Sequence, residues 1–312
     1  MERVLITDGV HPLLIEGLEH LNYQIDYEPA IDPRIVIDRV PDYVGMIINS
    51  KITVDKAMLD AGHQLRFIGR LGSGMEIIDR VYAAEKGVAV LNSPEGNCNA
   101  VAEQALGMLL TLANNLLRAD REVRQLLWRR EANRGFELAG RTIGLIGFGH
   151  TGSSFAKKLS GMDMTILAYD KYKTSYTADF PYVEAVSQEE LLARSEIVSL
   201  HLPLTAETIG MVDARFLQSC QLGAILINTS RGAIVQTADL LAALHSGHLK
   251  GACLDVFENE KPQRFTAEEK KLYQSLYLLD QVVLSPHIAG WTQESKRRLA
   301  SILLERIAAL SQ

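Results

Sequence analysis

The stretch Thr142-Ile143-Gly144-Leu145-Ile146-Gly147-Phe148-Gly149-His150-Thr151-Gly152 decides the fold. Five residues of strand character run straight into a GxGxxG turn, and residues 153–159 then carry a helical pattern. The glycine pattern alone is weak, because glycine is common and a flexible turn satisfies it. A strand directly before it and a helix directly after it turn it into a dinucleotide site. A second strand candidate, Thr165–Tyr169, ends in Asp170, which lies 18 residues past Gly152. The acid that accepts from a ribose is expected about 20 residues on. The chemistry is coherent: the glycines let the backbone approach a pyrophosphate, and the helix start offers free N–H groups and the positive end of a dipole. The Asp170 carboxylate can accept from both ribose hydroxyls and repels a 2′-phosphate, so NAD is favoured over NADP. Lys171 and Lys173 pull weakly the other way.

Working outward, further strand candidates fall at Ile197–Leu200, 224–227, 252–254 and Val282–Leu284, with helical stretches between them. Upstream, apolar runs at 4–6, 44–48, 65–68 and 88–91 alternate with helical patterns such as 54–59 and 78–86. Alternation of this kind means βαβ units. The expected architecture is α/β: two doubly wound parallel-sheet domains, one flavodoxin-like and one Rossmann, with a ligand cleft between them. Residues 1–97 plus 287–312 are expected to form the substrate domain and 98–286 the nucleotide domain. Asn99 reads as the N-cap of one long interdomain helix, apolar to Leu117 and charged over 118–130, and Gln293–Leu310 reads as an amphipathic closing helix.

Composition excludes other classes. With 312 residues and 47% hydrophobic content, two cores can be buried, and the net charge of −6 argues against a broad nucleic-acid surface. Three widely spaced cysteines (Cys98, Cys220, Cys253) give neither a disulfide framework nor a metal site, so reduced thiols in a cytoplasm are expected. Asp8 and Gly9 interrupt the first apolar run too early for a signal peptide. Residues 105–117 contain Thr111, Asn114 and Asn115 and fall short of a membrane span.

Three segments follow predicted strands: Asn228-Thr229-Ser230-Arg231-Gly232, Leu254-Asp255-Val256-Phe257-Glu258-Asn259-Glu260, and Ser285-Pro286-His287-Ile288-Ala289-Gly290. Strand ends are where an open parallel sheet binds ligands, so an Arg, a Glu and a His arriving there can converge. Together with Gly72-Ser73-Gly74, Asn92-Ser93-Pro94-Glu95-Gly96-Asn97 and His201-Leu202-Pro203-Leu204-Thr205, these motifs make the chain resemble the NAD-dependent D-2-hydroxyacid dehydrogenases, and within them the phosphoglycerate dehydrogenases. The resemblance covers nearly the whole chain.

That resemblance implies a set of roles. Arg231 would bind the substrate carboxylate and 2-oxo group through its guanidinium fork, His287 would be the general acid and base, and Glu260 would hold and charge-stabilise its imidazole. Gly147, Gly149, His150, Thr151 and Gly152 would cradle the pyrophosphate and Asp170 the ribose. His201, Pro203, Thr229, Asp255 and Gly290 would line the dinucleotide path. His201 also reads as a buried strand-end histidine, and Asp255 as a loop-orienting carboxylate. Ser73, Gly74 and Asn97 fall on the family's substrate loop, and Lys51 falls where a basic residue faces a phosphate. The glycine loop departs from the family at Glu76 and Ile77, and Trp291 is larger than its counterparts. The function implied is oxidation of 3-phosphoglycerate in serine biosynthesis, with a glyoxylate, hydroxypyruvate or other 2-oxoacid reductase as the alternative within the class and a non-catalytic NAD-sensing scaffold as the alternative outside it. A formate dehydrogenase is disfavoured, because by the same resemblance it pairs its His with Gln rather than Glu. A homodimer through the nucleotide domain, around the helix from Asn99 and Trp128, is implied as well. The 25 residues after His287 leave room for one closing helix but not for an appended serine-binding domain, so feedback inhibition by serine is not expected.

Overall fold

Runs of Val, Ile and Leu that are apolar on both sides form strands buried on both faces, and Asp or Ser residues start several of the helices between them. The computed structural model describes every residue except Thr174, Thr177, Ser311 and Gln312. It divides into two units, Met1–Cys98 with Trp291–Gln312, and Asn99–Gly290.

In the first unit the elements are β1 (Glu2–Ile6), α1 (Pro12–His20), β2 (Tyr23–Tyr27), α2 (Val36–Arg39), β3 (Gly45–Ile48), α3 (Lys56–Ala61), β4 (Phe67–Arg70), α4 (Arg80–Glu85) and β5 (Ala89–Asn92). All five strands are parallel, in the order β2-β1-β3-β4-β5. That is the flavodoxin-like order, with its reversal between β1 and β3. Asp55 and Asp79 cap α3 and α4 by accepting from the N–H groups of Met58 and Tyr82. Leu5, Met46, Ile48 and Ile68 fill one face of this sheet and Val4, Ile6, Ile47 and Phe67 the other.

The second unit runs α5 (Cys98–Ala113), α6 (Leu116–Arg124), β6 (Thr142–Ile146), α7 (His150–Leu159), β7 (Thr165–Tyr169), β8 (Val183–Ala185), α8 (Gln188–Arg194), β9 (Ile197–Leu200), α9 (Ala214–Ser219), β10 (Ala224–Asn228), α10 (Thr237–His245), β11 (Leu249–Leu254), α11 (Ala267–Tyr277) and β12 (Val282–Leu284). Its seven strands are parallel, in the order β12-β11-β10-β9-β6-β7-β8. The chain lays strands outward from β6 in one direction, then returns to β9 and builds the other way, so the switch point lies between β6 and β9. α12 (Gln293–Leu310) returns to the first unit and buries Ala300, Leu303 and Ile307 there.

Two expectations are corrected. The single long helix from Asn99 is two helices: the first already includes Cys98, and Asn115 takes left-handed backbone (φ 51°) that an α-helix cannot continue through. Residues 287–290 pack with the nucleotide unit, because Asp255 accepts hydrogen bonds from the backbone of His287, Ile288 and Ala289.

Candidate active site

The carboxyl ends of β6, β7, β9, β10, β11 and β12 carry the candidate site of the nucleotide unit. At the end of β6, Gly147 adopts φ 93°, and a Cβ there would meet the His201 carbonyl oxygen at 2.3 Å. A Cβ on Gly152 would meet the Gly147 carbonyl oxygen at 2.1 Å, so both positions require glycine for close backbone approach. Helix α7 starts at His150 behind Gly149 and, unlike α8, α9 and α11, has no side chain capping it. His150 is exposed and Thr151 half-buried in its first turn. An uncapped helix start beside a glycine turn suits an anion.

Asp170 stitches the next loop to this turn. Its Oδ2 accepts from Phe148 N–H at 2.7 Å, and its Oδ1 accepts from the N–H groups of Tyr172 and Lys173 at 2.9 and 3.0 Å. At the ends of β9 and β10, Nδ1 of His201 and Oγ1 of Thr229 are buried with no hydrogen-bond partner among the described residues. Leaving such atoms unpaired costs about 1–3 kcal/mol each, so these strand ends are shaped for a polar ligand. The other ring nitrogen of His201 bonds Ser199 at 3.0 Å, and burial pushes its pKa down to about 3. Pro203 is exposed, and its carbonyl accepts from the Thr208 hydroxyl. The glycine cradle, the uncapped helix and the two orphaned polar atoms fit a dinucleotide.

The catalytic candidates sit on the adjoining strand ends. After β10, the buried Asn228 folds the turn that presents Arg231: its Oδ1 accepts from Ser230 N–H and Oγ, and its Nδ2 donates to the Arg231 carbonyl. Gly232 then lies so close to the next loop that a Cβ would fall 1.8 Å from the Phe257 carbonyl oxygen. That loop carries Glu260, whose Oε2 accepts from His287 Nδ1 at 2.8 Å while Oε1 accepts from Phe257 N–H. Burial works to raise the Glu260 pKa, but the hydrogen bond and charge of His287, the Phe257 N–H and the nearby Arg231 together hold it below its ordinary value. An ionised carboxylate only accepts, so the imidazole carries its proton on Nδ1, and Nε2 is left for proton exchange.

Asp255 sets the position of that imidazole. It is 0% exposed, and its carboxylate accepts from the Ser285 hydroxyl at 2.6 Å and from Ile288 and Ala289 N–H at 2.9 Å each. Its carbonyl takes His287 N–H at 2.7 Å. These bonds tie the loop after β12 to the end of β11, and Gly290 follows on the same loop. Three contributors escaped the sequence reading as site residues. Asn228 and Ser285 lie inside the quoted motifs, whereas Tyr273, whose hydroxyl accepts from Asn259 N–H at 2.9 Å, carries no motif at all.

In the first unit, Gly72 takes φ 141°, Ser73 is exposed, Gly74 buried and Asn97 half-buried. The Ser73 carbonyl accepts from Asn92 Nδ2 at 3.2 Å. Lys51 donates its ammonium to the Pro29 carbonyl at 2.8 Å. Among the described residues no cluster could hold a metal ion, and no helix is long and apolar enough to cross a membrane.

A doubly wound sheet whose glycine turn, uncapped helix and His–Glu pair share one edge defines a nucleotide-binding oxidoreductase domain. Residues 106–289 match the family described as D-isomer specific 2-hydroxyacid dehydrogenase, NAD binding domain. The chain belongs to that family of NAD-dependent oxidoreductases. It is 32% identical over 99% of its length to a D-3-phosphoglycerate dehydrogenase of Archaeoglobus fulgidus, and spans 57% of that relative's length. It is 36% identical to a hydroxypyruvate reductase of Thermotoga maritima over 86% of this chain and 85% of that one. A D-lactate dehydrogenase from Aquifex aeolicus, solved with NAD and lactic acid, superimposes with a TM-score of 0.85 at 27% identity, covering 99% of this chain and 95% of that chain.

Proposed function

We propose that the chain interconverts a D-2-hydroxy acid and its 2-oxo acid, with 3-phosphoglycerate and 3-phosphohydroxypyruvate as the pair, in serine biosynthesis in the cytoplasm. The observation that carries this reading is the His287–Glu260 pair at 2.8 Å, with Arg231 on the adjoining strand end. Bound NAD would supply the hydride acceptor. Nε2 of His287 takes the C2 hydroxyl proton, and Glu260 stabilises the imidazolium that forms. Arg231 holds the substrate carboxylate and polarises the oxygen at C2, since its planar fork matches a carboxylate where a lysine would not. In the reverse direction the same imidazolium returns the proton. Ser73, Gly74 and Asn97 are proposed as substrate-binding residues of the first unit.

The archaeal relative supports the phosphorylated substrate. A second reading, hydroxypyruvate reduction, is supported by the Thermotoga maritima relative and by Lys51, whose ammonium is given to the Pro29 carbonyl. NADH oxidation followed with 3-phosphohydroxypyruvate, hydroxypyruvate, glyoxylate and pyruvate separates them by kcat/KM. The first reading expects the phosphorylated acid to lead; a lead for hydroxypyruvate installs the second. No turnover by wild type would mean an NAD-sensing scaffold instead.

A homodimer belongs to the same proposal. Leu117, Val123, Leu126 and Trp128 are 47%, 48%, 93% and 78% exposed on one continuous segment, and a patch of that kind marks a protein–protein contact. Light scattering at micromolar concentration is expected to give twice the chain mass.

A further inference from the structure

The two lysines after Asp170 are the natural receivers of a 2′-phosphate, yet the fold occupies both. Lys173 donates its ammonium to the carbonyl of Phe148 in the glycine turn at 3.3 Å. Lys171 donates to Glu207 Oε2 at 2.6 Å, and Tyr172 OH donates to the same oxygen at 3.1 Å. Glu207 stands on the loop after β9. That loop is braced by the Thr208 hydroxyl, which donates to the Pro203 carbonyl at 2.7 Å and accepts from Thr205 N–H at 2.8 Å.

In the sheet, β6 lies between β7 and β9. At about 4.8 Å per strand, the loops after β7 and β9 leave the sheet roughly 10 Å apart, with the glycine turn between them. The Lys171–Glu207 pair therefore spans the ribose side of the switch-point crevice. The Asp170 carboxylate already accepts from three backbone N–H groups, which leaves about one of its roughly four lone-pair sites for a ribose hydroxyl.

We propose that Glu207 is a cofactor-selectivity residue: by holding Lys171 across the crevice it removes the cation a 2′-phosphate would need. Both halves of the pair are a little over half exposed, so the pair adds little to stability and its effect falls on what binds nearby. The inference rests on the nucleotide reading of the glycine turn and is independent of which hydroxy acid is turned over.

The test is calorimetric titration of NADH and NADPH into wild type, Glu207→Ala, and Glu207→Ala combined with Lys171→Met. Glu207→Ala is expected to tighten NADPH binding about three- to tenfold, the scale of one exposed charge interaction, while NADH changes less than twofold. Most of that gain is expected to vanish in the double variant. Unchanged NADPH affinity in Glu207→Ala, or an equal gain in both variants, overturns the proposal while the nucleotide reading stands. Failure of NADH to bind wild type overturns both.

Discussion

At Asp255 a carboxyl group lies wholly inside the sheet edge, where every approach to it is a donor: one hydroxyl and two backbone N–H groups. Hydrogen bonds to a charged group are worth about 1.5–3 kcal/mol each. Asp255→Asn keeps the shape but turns one acceptor into an NH2 group facing a donor. It is expected to lower unfolding free energy by about 2–4 kcal/mol, read from the urea midpoint. It should also reduce kcat, because the loop carrying His287 loses its anchor, and an unchanged kcat would refute that role. Arg231, Glu260 and His287 could be singled out as candidates because each lies in a motif that follows a strand run. For Asp255 the sequence left two readings open, since the register of β11 against β12 decides what its carboxyl group meets.

Among the elements, the turn after β10 and the loop after β11 touch without room for a side chain at Gly232. Gly232→Ala is expected to push the Phe257 carbonyl, and with it Glu260, away from His287. Overpacking of this kind costs about 1–3 kcal/mol. The expected result is a large fall in kcat/KM with NADH affinity in titration retained, because the β6 turn is untouched. Loss of NADH binding as well would show that the two loops do not act separately. The strands Thr142–Ile146, Thr165–Tyr169, Ile197–Leu200 and Val282–Leu284 have the bounds their apolar runs predict. β2 and β8 went unread: both are edge strands carrying Gln24 and Asp26, or Glu184, and so lack the unbroken apolar run of strands buried on both faces. The helix break at Asn115 was hidden because apolar spacing persists to Leu117 while the backbone reverses hand.

For the molecule as a whole, acid sensitivity follows from His201. Its folded pKa of about 3 lies below the ordinary 6.5, so between those values the unfolded chain binds the extra proton and stability falls as the pH drops. The slope is about 1 kcal/mol per pH unit in that window. Denaturant unfolding of the nucleotide unit at pH 4 to 6 is expected to show a shallower pH dependence in His201→Gln than in wild type; equal slopes would assign the sensitivity elsewhere. Two α/β units and the doubly wound order were legible from the alternation of runs. The boundary at Gly290 was not, because it depends on hydrogen bonds to a side chain far away in sequence.

His287 holds φ 56°, left-handed backbone that costs a non-glycine residue roughly 1–2 kcal/mol. Glycine would occupy the same place without strain, and the imidazole's bond to Glu260 is too exposed to repay much of that cost. Thermal endurance alone would therefore favour glycine at this position, and the imidazole is held at this backbone angle against the pull of the chain's own folding energy.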